Sequence, residues 1–73
     1  MNLIESYFNS KSKTHWRIWP NTNSSETFQN TFSWVLYMKE DAGYIYGIED
    51  NEEECIKEIK EAIGTYLKGI DLL

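Results

Sequence analysis

The residues able to do chemistry in this chain are few: one histidine, His15, one cysteine, Cys55, and a run of five carboxylates within Glu49 to Glu54. A Ser/His/Asp or Cys/His arrangement would have to use His15, and no nucleophile-elbow glycine pattern surrounds any serine. His15 and Cys55 also fall in different expected elements, with Cys55 on an apolar stripe where a thiol packs rather than reacts. One Cys and one His cannot complete a structural zinc site, and the acidic run lacks calcium-loop spacing. On a helix the adjacent Glu52, Glu53 and Glu54 point in three directions and cannot converge on one ion. The glycines Gly43, Gly47, Gly64 and Gly69 are too scattered to cradle a phosphate. No catalytic residue, metal or cofactor is therefore expected, and the chain reads as non-enzymatic. The acidic run has two readings: a helix start, where negative charge opposes the helix dipole, and a rim that would attract a basic partner.

Aromatic residues are the other chemical resource. Three Trp, five Tyr and three Phe in 73 residues, each able to bury roughly 150–250 Å², carry more surface than one short helix covers. Trp16, Arg17, Trp19 and Lys39 combine aromatics with cations, the ingredients of base stacking, so a single-stranded nucleic-acid interface is the alternative reading. A net charge of −5 opposes it, because phosphate backbones and anionic lipid both select for Lys and Arg. The basic residues Lys11, Lys13 and Arg17 lie in the first twenty positions, against Glu5, and the acid is concentrated further on.

These side chains need elements to hold them. A chain of 73 residues fits one domain, residues 1–73, and buries only about 60% of its unfolded surface. A lone cysteine excludes an internal disulfide. No basic-then-apolar leader and no run of about 18 apolar residues is present, so neither membrane association nor secretion is expected and a cytoplasmic location is. The strongest element is a helix over Asp50–Ile70: Cys55, Ile56, Ile59, Ala62, Ile63, Tyr66, Leu67 and Ile70 recur at the three-and-four spacing of one stripe. Asp50 or Asn51 can cap its start, and Gly69 stands where a left-handed turn often ends a helix. Leu3, Ile4, Tyr7 and Phe8 predict a short N-terminal helix of about two turns capped by Asn2. Asn9–Thr14 reads as a connector. Alternation over Thr14–Trp19 predicts a strand ended by Pro20, and the polar Asn21–Thr31 a loop tacked down by Phe28.

Phe32–Lys39 and Tyr44–Glu49 form a hairpin. A three-residue closure of Asp41, Ala42 and Gly43, with Gly43 at positive φ, sets Met38 opposite Tyr46 and Leu36 opposite Ile48. The helix would then cover Trp34, Leu36, Met38, Tyr44, Tyr46 and Ile48. The other side would carry Val35, Tyr37, Lys39, Ile45, Gly47 and Glu49, with Arg17 and Trp19 beside them, which is more apolar than a purely solvated face. Three occupants fit that side: the N-terminal segment, a second copy of the chain, or a different partner.

The run Asp41-Ala42-Gly43-Tyr44-Ile45-Tyr46-Gly47-Ile48, followed by Glu52-Glu53-Glu54-Cys55-Ile56-Lys57-Glu58-Ile59-Lys60-Glu61-Ala62-Ile63, resembles the N-terminal module of HicB-type antitoxins over residues 33–67. The intervening strand of that family, with its Pro-Gly turn, is missing here. The resemblance implies an acidic module that self-associates and neutralises a basic protein, and it carries over no catalytic residue. The expected architecture is α+β: a short N-terminal helix, a three-stranded antiparallel sheet, and the long C-terminal helix packed on one face. The expected function is a regulatory or inhibitory protein-binding module, as a homodimer, using Trp19, Val35, Tyr37 and Ile45, with Glu49, Asp50, Glu52 and Glu53 as its acidic rim.

Overall fold

A computed structural model describes residues 2–11, 15–22, 30–37 and 43–69. In chain order they form α1 (Leu3–Lys11), β1 (Trp16–Pro20), β2 (Phe32–Tyr37), β3 (Tyr44–Glu49) and α2 (Glu52–Gly69). The strands make one antiparallel sheet in the order β1-β2-β3. Both helices lie on the same side of it. The expected α+β architecture is present.

Each helix begins where a side chain can satisfy free amides. Asn2 Oδ1 accepts from the backbone N–H of Ile4 at 2.8 Å and Glu5 at 3.3 Å, and Asn51 Oδ1 accepts from Glu54 at 2.9 Å. These are N-caps, and Asn51 rather than Asp50 is the one used. α1 runs on to Lys11, a turn further than its apolar stripe and into the expected connector, because nothing in Asn9-Ser10-Lys11 breaks a helix. Gly69 is the last residue of α2, and the described glycine with a positive φ is Gly43, at 81°. Ile70 lies outside the described residues.

α2 buries Cys55, Ile59, Ile63 and Leu67 at four-residue spacing, which brings one side chain per turn onto the sheet. They pack with Phe8, Trp34 and Leu36, and Trp16, Ile18 and Phe32 close the margin. α1 leans on α2 rather than crossing to the far side of the sheet. Its Ile4 is close enough that a Cβ on Gly64 would stand 3.1 Å from Ile4 Cδ1. Phe8 is sandwiched: Trp16 stacks on one side, ring centroids 4.2 Å apart, and Lys60 Nζ lies 4.9 Å from the ring centre. Lys60 also pairs with Glu5 at 2.8 Å, and Trp16 Nε1 donates to Phe8 O at 2.7 Å. The helices are thereby joined to each other and to β1.

β1 starts two residues later than the alternation suggested and takes in Pro20, opposite Phe32; β1 is a terminal strand, where a missing amide is tolerated. The ends of the following segment are joined by Asn21, whose N–H donates to Thr31 O at 2.9 Å and whose side chain bonds Thr31 Oγ1 at 3.0 Å and Ser33 Oγ at 2.8 Å. Phe28 lies outside the described residues.

The hairpin register differs from the expected one. Tyr37 pairs with Tyr44, Leu36 with Ile45, Val35 with Tyr46, Trp34 with Gly47 and Ser33 with Ile48. That register does not fit the expected three-residue closure; residues 38–42, Met38 among them, lie outside the described residues. An odd shift in register reverses which side chains of β3 face the helix. Ile45, Gly47 and Glu49 share the α2 side with Trp34 and Leu36, while Tyr44, Tyr46 and Ile48 point away. The physical cause is Trp34. Its indole lies across Gly47, so close that a Cβ there would meet Nε1 at 2.7 Å, and Nε1 reaches on to donate to Glu49 Oε2 at 3.1 Å.

Candidate functional site

The sheet side opposite α2 is built by alternation. β1 contributes Arg17 and Trp19, β2 Ser33, Val35 and Tyr37, and β3 Tyr44, Tyr46 and Ile48. The pairings align these into rows: Arg17, Val35 and Tyr46 in one, Trp19, Ser33 and Ile48 in the next, with Tyr37 and Tyr44 beyond. Among the described residues no element lies over them. Trp19 is 44% exposed, Tyr37 44%, Tyr44 61%, Tyr46 72% and Ile48 44%. Val35 is 6% exposed and forms the floor of a shallow groove of about 550 Å³ edged by Trp19, Tyr37, Tyr44, Tyr46 and Ile48. The tyrosines form a bent row, with Tyr37–Tyr44 centroids 6.1 Å apart at 51° and Tyr44–Tyr46 5.9 Å apart at 37°. Such tilted contacts fix ring orientation while leaving faces and hydroxyls outward.

Of the expected partner-binding residues, Trp19, Val35 and Tyr37 are brought together here, although Val35 contributes a floor rather than a protruding contact. Ile45 is not among them: it faces the α2 side, at the β3 margin, 40% exposed. Glu49 faces that side too and holds the Trp34 indole. Asp50, Glu52 and Glu53 are exposed at the start of α2, where they oppose its dipole. Tyr44, Tyr46 and Ile48 were missed. Their signal was Gly47: a strand glycine marks a close approach, and the bulkiest neighbour able to make it is Trp34.

The residues of the nucleic-acid alternative are split. Trp16 is committed to Phe8 on the helix side, Arg17 and Trp19 are exposed on the open face, and Lys39 lies outside the described residues. The titratable candidates are structural. Cys55 is fully buried and donates to Phe32 O at 3.7 Å; burial, reinforced by Glu49 and Glu52, pushes its thiol above the ordinary range against an opposing backbone hydrogen bond from Glu49. A thiol held protonated is a poor nucleophile. His15 packs edge-on against Tyr7, centroids 6.1 Å apart, and burial followed by proximity to Tyr66 raises the Tyr7 hydroxyl. A second groove, of about 770 Å³, runs between α1 and α2 past Glu5, Lys57, Lys60 and Lys68. Although larger, it is floored by the solvated side of α2 and bridged by the Lys60–Glu5 pair. Among the described residues no three His, Cys, Asp or Glu side chains gather as metal ligands, and no helix is long and apolar enough to cross a membrane.

Comparison with protein-family models, with curated proteins and with solved structures yields no match.

Proposed function

We propose that this chain is a non-enzymatic protein-binding module, regulatory or inhibitory in role and cytoplasmic in location, whose docking surface is the open side of its sheet. The observation that carries this reading is the cluster of Trp19, Tyr37, Tyr44, Tyr46 and Ile48, all exposed over a buried Val35. Interface cores are enriched in Tyr and Trp because such side chains offer large contact area with few rotatable bonds. Arg17 adds a cation at one margin. The resemblance to HicB-type antitoxins would make the partner a basic protein, met by the carboxylates at the start of α2, and would make the module self-associating.

The test is capture from a lysate of the native host with the wild-type chain, Trp19→Ala and Tyr37→Ala. A specific protein held by the wild type and lost from both variants, with unchanged circular dichroism, is the expected result. Equal capture by all three would refute the reading. The nucleic-acid alternative predicts oligonucleotide binding at low salt that falls steeply as salt rises, and fluorescence anisotropy with Trp19 intact decides it.

A further inference from the structure

We infer that the open side is doubled in solution by a second copy of this chain, joined antiparallel along the edge of β3 that no described strand pairs, so that the sheet becomes six-stranded, with Tyr46 on the two-fold axis. This deepens the proposed function and rests on its reading of the open face as an association surface. The two edges of the sheet are unequal. β1 ends in Pro20 and carries exposed Arg17, two devices by which natural proteins blunt an edge. β3, Tyr44-Ile45-Tyr46-Gly47-Ile48-Glu49, has no proline and no cation, and its sole charge is terminal. Its side chains are exposed on both faces of the sheet: Tyr44, Tyr46 and Ile48 on the open side, Ile45 on the α2 side.

A strand added to this edge must place like faces opposite each other. Pairing about Tyr46 sets Tyr46 against its own copy, Tyr44 against Ile48 of the second copy, and Ile45 against Gly47. The aromatic row of each copy then continues into the other, and Ile45 gains the indole edge of Trp34, which lies over Gly47. Charge selects the same orientation. Each copy carries a net charge of −5, and the carboxylates that begin at Glu49 fall at opposite ends of an antiparallel ladder, whereas a parallel pair would bring them side by side. An exogenous strand could satisfy the backbone, but it would not return the Tyr44–Ile48 match twice, as an isologous pair does. One short strand and three side chains are a small contact beside the about 1,200–2,000 Å² of standard interfaces, so the equilibrium is expected in the micromolar range.

Sedimentation velocity of the full chain, from about 1 to several hundred micromolar, should show a monomer–dimer equilibrium. Tyr46→Cys should cross-link to itself under copper phenanthroline, because opposed Cα atoms in an antiparallel pair lie about 4.5–5.5 Å apart, within disulfide reach. Tyr44→Cys chains mixed with Ile48→Cys chains should form the mixed disulfide, while neither links to itself, their own copies being about 13 Å distant along the ladder. Tyr46→Lys, which adds like charges on the axis at a highly exposed position, should leave a folded monomer. A chain monomeric throughout the range overturns the inference and leaves the open face to other proteins. A dimer without Tyr46 cross-links, or one abolished by Trp19→Ala but not by Tyr46→Lys, also overturns it, since the copies would then meet face to face. Cross-linking with no host protein captured supports the edge pairing and removes the heterologous partner.

Discussion

Gly47 shows how a single missing side chain decides which face of a strand is functional. The Trp34 indole occupies the space a Cβ would need and is fixed by its bond to Glu49, so it cannot yield as a flexible chain end would. Gly47→Ala is expected to cost about 1–3 kcal/mol through forced displacement of a packed ring, read as a lower urea midpoint with loss of the near-ultraviolet tryptophan signal. Cys55 marks the opposite case, a reactive residue type made inert by its surroundings. Its thiol should resist Ellman's reagent in the native protein and react at once in denaturant. The folded thiol holds its proton more tightly than the unfolded one. Its contribution to stability is therefore complete below the unfolded thiol pKa and is lost as pH climbs through the higher folded value, so the protein should weaken above about pH 9.

At the scale of elements, α2 was the most legible part of the sequence and the hairpin the most deceptive. The three-and-four spacing of Cys55, Ile59, Ile63 and Leu67 carries its own phase, because a helix face repeats many times within eighteen residues. A strand of six residues gives only alternation, and alternation leaves undetermined which set faces the core. For β3 both sets, Tyr44, Tyr46 and Ile48 or Ile45, Gly47 and Glu49, contain apolar residues. Closure at Asp41-Ala42-Gly43 suggested one phase, and the Trp34–Gly47 contact imposes the other. Gly43 does adopt the positive φ that its position suggested, so the turn residue was legible while the register was not. Trp19 and Tyr37 were placed on the open side because the larger apolar sets of their strands, Trp16 with Ile18 and Trp34 with Leu36, mark the side the helix covers. The outer surface of α2 yields a pH prediction. Burial first, then the carboxylates of Glu61 and Glu49, raises Glu58 above its ordinary value, with Lys57 opposing. A carboxyl that prefers its proton in the folded state stabilises below the unfolded carboxylate pKa and ceases to do so as pH rises through the folded one. Glu58→Gln should therefore raise the urea midpoint at pH 7 and change it little at pH 4.

For the molecule as a whole, the sheet separates stability from recognition. Ile63 on the covered side is fully buried, and Ile63→Ala should cost about 2–5 kcal/mol. Trp19→Ala and Tyr37→Ala, on the open side, should shift unfolding by about 0.5 kcal/mol or less in the isolated monomer, and paired denaturation curves compare the three directly. Unfolding by either open-side variant would place it in the core and remove the docking surface with it. The clamp made by Asn21, Thr31 and Ser33 joins β1 to β2 from outside the segment it closes. Three hydrogen bonds thus hold β1 and β2 together at that end, and Asn21→Ala, which removes the two side-chain bonds, should cost about 1–3 kcal/mol, read as a lower urea midpoint. Fastening of the strands at that end is left to polar atoms, and among the described residues none of the exposed aromatics takes part in it.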